Sequence, residues 1–467
     1  MWVNMKKILE LILRISVITL GLSIAVFILL NLRGFAINSQ TLLISFIVIL
    51  SLVLIIHGIF TLFWMLYAWE NPEDAERHKS PKEFALPKYS FTALIPARHE
   101  ENVIKDTIQA VNRINYPEYL KEVLVLCRDD DIKTIAKAEK TIEDLGNQNV
   151  RLIVFNSFPI NKPRSLNQGL KQARNEIVAI FDAEDEPHPG IYNVVNTILL
   201  GENADIVQSG VQLMNYRSNW FSTLNVLEYF FWFKSALHFF SNVGGISPLG
   251  GTTAFFKKSW LELIGGWDEN CLTEDADIGF RLMSAGAKLR VVYDEQHVTK
   301  EETPPNLVSF LGQRTRWDQG FLQVLFKGDW KKLPKLRQRL FAVYILLSPE
   351  IQTVLLFYAP VAIWLAFMQK LPILVSLLSF VPFSLLLLQI VVLIVGLYEF
   401  TKAYNLRFPF WMPLKILATF YPYQLVLMIS SFRAFYRVLF SHNGWEKTLH
   451  VNAHREMAKV SLFQNVQ

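Results

Sequence analysis

Long apolar runs bracket this chain and limit what it can fold into. Residues Ile8–Leu30, Leu42–Ala68, Phe341–Met368 and Leu371–Tyr398 are each long enough to cross roughly 30 Å of hydrocarbon as a helix. They account for much of a hydrophobic content of 52% over 467 residues, which is high for a chain that stays in water. A fifth run, Ile416–Phe432, is interrupted by Pro422, Gln424 and two serines. Lys402, Arg407 and Lys415 precede it, and Arg433, Arg437 and Lys447 follow it. Cations on both flanks argue against a simple crossing. This run is therefore expected to lie in the interface or to re-enter it, leaving four crossings and a cytoplasmic C-terminus.

The first run ends in Asn31-Leu32-Arg33, which offers no small-residue cleavage site, so it is expected to be a retained anchor. Lys6 and Lys7 before it put the N-terminus in the cytoplasm. Two crossings then return the chain, so the stretch from about Trp69 to Leu340 is expected on the cytoplasmic face of the plasma (inner) membrane. The net charge of +5 suits a protein beside an anionic leaflet. "KKLPKLRQR" (Lys331–Arg339) fits a solvated stop signal and a lipid-binding cluster equally. Cys127 and Cys271 both fall in the middle segment, where a disulfide is not expected. The nine histidines show no metal-ligand spacing, and His188 and His297 read as structural.

Between the apolar runs the pattern changes. The polar linker Asn71–Ser90 leads into short apolar runs, Phe91–Ala97, Glu122–Cys127, Arg151–Asn156 and Ile177–Phe181. Stretches with helical spacing alternate with them: "ENVIKDTIQAVNRI", "IKTIAKAEKTIEDLG" and "RSLNQGLKQARN". Strands apolar throughout and separated by helices predict a mainly parallel sheet built from βαβ units. The expected organisation is residues 1–70 as two membrane helices and 71–300 as an α/β catalytic domain. Residues 301–340 then form interface helices, 341–399 two further membrane helices, and 400–467 an interfacial segment and tail.

Ligands of such sheets bind beyond the carboxyl ends of the strands, and three of those ends carry acid. "PARHEE" follows the first strand and includes Glu100; "RDDD" follows the second, with Asp130 and Asp131. The fourth ends in "DAED", where Asp182, Glu184 and Asp185 stand within four residues. One acidic loop is ordinarily a solvated turn, but three on one sheet edge need neutralising. "NKPRSL" places Lys162 and Arg164 before a helix expected to begin near Ser165, a site suited to phosphate oxygens. Clustered carboxylates facing phosphates are what Mg²⁺ or Mn²⁺ bridges.

Two later motifs complete the set. In "LTEDADIGF", Thr273 reads as a helix N-cap, with Glu274 and Asp275 in or near the first turn. The helix dipole alone explains acids there, though a loop carboxylate could also act as a base. In "GQRTRWDQG", Gln313, Arg316 and Trp317 stand at i, i+3 and i+4 and share one helical face. That face suits a sugar stacked on the indole, and equally an amphipathic helix lying on a membrane.

With these motifs in order, the chain resembles the inverting glycosyltransferases of family 2, in particular the processive, cellulose-synthase-like membrane branch, over roughly Pro87 to His450. The resemblance implies a GT-A fold that binds a UDP-sugar, with UDP-glucose the foremost expected donor. It implies that Asp130 or Asp131 contacts the uracil, that Lys162 meets the diphosphate and that Asp182 opens the metal motif. Glu100 is placed with the nucleotide-sugar site. Asp275, beside Glu274, matches the general base, and Gln313, Arg316 and Trp317 match the QxxRW signature. "GGTTAFF", with Gly251 and Thr252, resembles the segment lining the acceptor pocket. "GWEKTLH" would act as a gating loop through Trp445 and Lys447, or else serve as a juxtamembrane anchor. Two departures stand out: Glu184 occupies the second acidic position of the metal motif, and "RDDD" replaces the usual base-binding loop. "DAEDEPHP" and "WEKTLH" are most similar to a bacterial β-glucan-synthase-like branch.

The activity this implies is inverting transfer of a sugar to a growing β-linked polysaccharide, coupled to export, with accessory subunits as possible partners and no nucleic acid. The alternative acceptor is a lipid, either a polyprenyl phosphate or diacylglycerol. A transporter with a regulatory domain is disfavoured, because Arg14, His57 and Glu350 are almost the only ionisable residues in or beside the spans.

Overall fold

The computed structural model describes residues 39–368, 371–442, 444 and 446–455. The expected crossing Ile8–Leu30 and the expected gating residue Trp445 lie outside the described residues. The second apolar run forms helix α1 (Ser39–Glu70).

The middle segment builds strands β1 (Phe91–Ala97), β2 (Lys121–Arg128), β3 (Val150–Phe155) and β4 (Ile177–Ile180), each within one residue of its expected ends. Helices α2 (Ile104–Asn112), α3 (Ile132–Leu145), α4 (Lys162–Gln172) and α5 (Ile191–Gly201) run between and after them. Strands β5 (Ile206–Gln208), β6 (Val211–Leu213), β7 (Ala254–Lys257), β8 (Leu289–Val291) and β9 (Thr299–Glu301) come next. Seven strands join in the order β3-β2-β1-β4-β7-β5-β8, while β6 and β9 pair separately. Within the large sheet every pairing is parallel except those made by β7. This is a mostly parallel α/β fold of GT-A type.

Alternating side chains explain the continuous apolar runs. Ala93, Ile95, Val123, Val125 and Ala179 pack on one face with α2 and α5 residues, while Leu94, Leu124, Leu126, Val178 and Ile180 pack on the other with Leu166 and Leu170 of α4. Both faces are buried, so the sequence shows no polar alternation. The reversed β7 has a consequence for function. Its first residue, Ala254, pairs with Ile180 at the end of β4 and Gln208 at the end of β5. The Gly250–Thr253 loop therefore arrives at the same edge as the acidic strand ends.

Helix α4 begins at Lys162, earlier than the Ser165 expected. The Asn161 side chain accepts a hydrogen bond from Arg164 N at 3.0 Å, and Pro163 occupies the first turn, a favourable helix start. Lys162 is thereby held rigidly at the helix entrance.

Helix α6 (Ser222–Phe231) continues through π-type turns to Gly244. Helix α7 (Glu274–Ser284) starts at the "TED" loop, and α8 (Leu307–Lys327) carries Gln313, Arg316 and Trp317. These two elements meet at Gly320. A Cβ there would lie 2.6 Å from Thr273 N and 2.4 Å from Thr273 Oγ1, so only glycine lets α8 pack directly on that loop. Gly320→Ala is expected to cost about 1–3 kcal/mol through overpacking, measured as a lower Tm in detergent. It should also displace Thr273 and its neighbour Asp275, which would appear as reduced turnover.

Helices α9 (Leu336–Met368), α10 (Ile373–Ala403) and α11 (Met412–Leu439) complete the chain. With α1, they are the four described helices whose length and apolarity suffice to cross a membrane. The fifth run, expected to be an interfacial or re-entrant helix, forms α11, which passes through Pro422 unbroken. Helical φ suits proline, and the cost is one lost backbone hydrogen bond. Both halves of α11 touch the α/β domain and its helix α8. Lys415 Nζ donates to Asn219 O at 3.0 Å, and Arg437 Nε donates to Gln319 Oε1 at 2.7 Å. Its buried stripe includes Ile416, Phe420, Tyr423 and Ser430, while Leu414, Leu417, Phe432 and Phe435 stay exposed.

Candidate active site

A cleft of about 180 Å³ opens at the carboxyl edge of the sheet. Glu100, Lys162, Asp182, Glu184, Gly251, Thr252, Glu274, Asp275, Gln313, Arg316, Trp317 and Lys447 all line it. Loops separated by more than 300 residues in sequence thus converge on one space.

Lys162 is its electrostatic centre. Nζ lies 2.6 Å from Asp182 Oδ1 and 3.2 Å from Glu274 Oε1, and donates to Gly251 O at 2.9 Å. Burial opposes its charge, but Asp182 and Glu274 outweigh that and hold the amine above its usual range. Glu184 faces the same cleft with the His450 imidazole, Nδ1 at 3.3 Å from its Oε1, rather than a lysine beside it. Burial, then the charges of Asp182 and Glu100, push its carboxyl well above the usual range. Glu100 is driven up to about 8 by burial, although Lys447 Nζ stands 3.2 Å from its Oε1. Burial and mutual repulsion thus favour the neutral form of Glu184 and Glu100 in the cleft.

Asp185 does not join Asp182 and Glu184 at the cleft. It is fully buried, where its Oδ2 accepts hydrogen bonds from Asp182 N at 2.8 Å and from Thr252 Oγ1. These bonds fold the DAED turn back on itself, so Asp182 and Glu184 line the cleft and Asp185 does not. Asp182 and Glu184 offer carboxylate oxygens, the hard donors Mg²⁺ or Mn²⁺ prefers. Among the described residues no three His, Cys, Asp or Glu groups converge as a ready-made metal site, so oxygens of a bound diphosphate would have to complete the shell.

The two aspartates expected at the base are engaged elsewhere. Asp131 caps α3, accepting from Thr134 N at 3.4 Å and His99 N at 2.5 Å. An aspartate just before a helix is an N-cap signal in its own right. Asp130 takes Arg98 in a bidentate pair at 2.9 and 3.2 Å, and Arg128 Nε at 3.1 Å. Bonding to Arg98 holds its carboxyl below the usual range. Arg98 and Arg128, rather than either aspartate, line the cleft, with Phe155 and Ser157 beside them. Sequence reading missed these arginines because it followed the acids; the first two acidic loops each carry an arginine of their own.

Asp275 stands apart from the ion-pair cluster. Its Oδ1 accepts from Ala276 N at 2.8 Å, while Oδ2 lies 3.2 Å from where a Cβ on Gly251 would sit. Gly251 has φ +82°, so that position both needs glycine's backbone freedom and leaves the carboxylate open. Burial, then Glu274, raise the Asp275 carboxyl to about 7. A second cavity of about 360 Å³ begins here and runs between α1, α9, α10 and α11. Asp275, Trp317, Tyr229, Gly250 and Thr273 line both spaces. Trp317 forms part of the shared wall, with the Arg314 guanidinium 4.7 Å from its ring centroid.

The C-terminal segment closes one side of the cleft. Lys447 Nζ donates to His99 O, Arg316 Nη2 donates to Thr448 Oγ1 at 3.4 Å, and Arg455 Nη2 donates to Asp185 O at 2.7 Å. Glu302 is its main anchor, accepting from the backbone N–H groups of Val451, Asn452 and Ala453. No local pattern announces a contact across 150 residues. Glu302→Ala is expected to leave three amides without their acceptor and release this segment. Limited proteolysis should then cut between residues 446 and 455 severalfold faster than in the wild type.

This fold, with an acidic and basic cleft at its carboxyl edge, is that of a GT-A-type glycosyltransferase domain. Residues 87–320 match the family model described as "Glycosyltransferase like family 2", and the chain belongs to that family. It is 25% identical over 292 residues to a probable glycosyltransferase, YdaM, of Bacillus subtilis, covering 57% of this chain and 66% of that protein. It is 24% identical over 266 residues to a poly-beta-1,6-N-acetyl-D-glucosamine synthase of Staphylococcus epidermidis, covering 56% and 61%. The matches thus span about two thirds or less of these relatives' lengths. Among solved structures, the mannosyltransferase PcManGT of Pyrobaculum calidifontis, in complex with GDP-Man and Mn²⁺, shares the fold. It aligns with TM-score 0.55 at 18% identity, over 84% of this chain and 99% of that one.

Proposed function

We propose that the protein transfers a hexose from a UDP-sugar, with inversion, to the end of a β-linked polysaccharide that leaves through the membrane helices. The observation that carries this is the position of Asp275 where the two cavities meet. An acceptor hydroxyl reaching it from the inner cavity would face a donor lying in the cleft. In one displacement the acceptor oxygen bonds to the anomeric carbon, the bond from that carbon to the diphosphate oxygen breaks, and the hydroxyl proton passes to Asp275.

The remaining residues act on the leaving group. Lys162 and Lys447 are placed to meet its negative charge, and Arg316 adds a further buried cation to the cleft wall. A divalent cation held by Asp182 and Glu184 would supply further neutralisation of the diphosphate oxygens. Arg98 and Arg128 form the wall on which the base would lie, and Trp317 would receive the acceptor sugar by stacking. In this reading the segment from Lys447 to Arg455 is the closing element over the nucleotide.

A polymer acceptor is favoured by a polar line along the inner cavity. His57 Nε2 bonds Gln352 Oε1 at 2.9 Å, Gln352 Nε2 donates to Gln424 Oε1 at 3.3 Å, and Tyr344 OH lies 3.3 Å from His57 Nδ1. Such amides and rings suit sugar hydroxyls. The opposite wall, with Phe231, Phe240, Leu356, Leu393 and Leu427, is the feature that would suit a polyprenyl chain. The relatives' names add UDP-N-acetylglucosamine to UDP-glucose as a donor to try. In this reading the α/β domain is cytoplasmic and α11 lies along the interface, which its contacts with Asn219 and with Gln319 of α8 support. Product analysis separates the acceptors: a ladder of lengthening saccharides supports the polymer, and a single lipid-extractable product overturns it in favour of a lipid acceptor.

A further inference from the structure

Three cations gather at the start of α11 with no counter-charge among the described residues. Arg217 comes after β6, Arg407 precedes α11, and Lys415 stands in its first turn. Their loops are joined, since Tyr216 OH donates to Arg407 O at 2.5 Å and Lys415 Nζ to Asn219 O at 3.0 Å. Lys415 is half-buried and within electrostatic reach of Arg217. Among the described residues, none of the three has an Asp or Glu oxygen within 4.0 Å. None of them lines the catalytic cleft or the inner cavity, so the nucleotide does not account for them.

Their surroundings are apolar and exposed. Phe410 is 90% exposed and Leu414 67%, with Trp411, Leu417 and Trp220 also open. Large apolar side chains next to unpaired cations are unfavourable in water and favourable where hydrocarbon meets headgroups. Indole rings at that level are typical of the same boundary.

We propose that Arg217, Arg407 and Lys415 form a binding site for the phosphate headgroup of an anionic phospholipid, with Trp411, Leu414 and Leu417 against its acyl chains. The cations supply the charge complement that the protein itself leaves open, and the neighbouring side chains select a lipid over a free anion. The site rests on the interfacial placement of α11, and it is independent of which sugar is transferred.

The test uses the full chain reconstituted in phosphatidylcholine bilayers containing phosphatidylglycerol, then re-extracted, with retained phospholipid measured by mass spectrometry. Wild-type protein should retain phosphatidylglycerol above its share of the bilayer. Arg217→Gln with Lys415→Gln should lower that enrichment by about fivefold for each cation removed, whereas Lys331→Gln with Lys332→Gln should not. Should the double variant fail to fold, Arg407→Gln decides, since among the described residues its side chain makes no hydrogen bond, only its backbone O does. Enrichment that survives Arg407→Gln, or is absent from the wild type, overturns the proposal. Enrichment abolished in the wild type by inorganic phosphate also overturns it, by showing a site for the free anion.

Discussion

Asp275→Asn is expected to lower turnover by roughly 10²- to 10⁴-fold, the usual contribution of a general base, while nucleotide affinity stays essentially unchanged. The geometry separates these two properties. Asp182, Glu274 and Gly251 O hold Lys162, whereas among the described residues the hydrogen bonds of Asp275 go to backbone amides of its own helix turn. Removing its charge should leave the ion-pair cluster standing.

The pH dependence has a definite sign. Burial, then Glu274, raise the Asp275 carboxyl to about 7, so its basic form is lost as pH falls through that value. Wild-type turnover should therefore climb with pH through about 7, and the Asn variant's residual activity should lack that limb. Stability moves the other way. A raised carboxyl pKa favours the neutral group in the folded state, so its stabilisation is complete below the unfolded value and lost as pH rises through about 7. Asp275→Asn should accordingly be at least as stable as the wild type at pH 8, measured by thermal unfolding. Loss of activity together with loss of fold would contradict this assignment.

The second large effect is expected at Arg314, which sequence reading passed over between Gln313 and Arg316. Its guanidinium donates to Glu228 and, at 2.6 Å, to Asn225 Oδ1; Tyr423 OH donates to Glu228 Oε2 at 2.7 Å. The same group lies 5.0 Å from the Phe310 ring centroid as well as against Trp317. One side chain thus ties α6, α8 and α11 together and fixes the indole at the cavity junction. Glu228→Ala would strand this cation, and Arg314→Ala the carboxylate, each costing about 3–5 kcal/mol. The expected results are a large fall in Tm and, in Arg314→Lys, a KM for the acceptor raised more than kcat is lowered. Lysine keeps the charge but not the planar group over the indole. A Tm unchanged by Glu228→Ala would refute the tie.

Much of this was legible in the sequence, for identifiable reasons. β1 to β4 were read to within one residue because both-face burial leaves continuous apolar runs. The acidic strand ends were found because parallel strands must place them on one edge. The reversal of β7 was not legible, since "AFFK" reads the same in either direction and only its neighbours set its sense. Asp131 and Asp185 lie away from the cleft for a reason the sequence does not show: a carboxylate that caps a helix or braces a turn looks, in sequence, like one that binds a ligand. The pairing of Glu302 with Val451–Ala453 and of Arg314 with Tyr423 depends on tertiary closure, which carries no local signature.

The central claim is that this cleft consumes a nucleotide-sugar at Asp275. Its most direct test is nucleotide release by the purified, detergent-solubilised chain across UDP-glucose, UDP-N-acetylglucosamine and GDP-mannose with Mg²⁺ or Mn²⁺. UDP release from one donor is expected, abolished by EDTA and by Asp275→Asn. Release that persists undiminished in Asp275→Asn, or a cleft that binds none of these nucleotides, would contradict it.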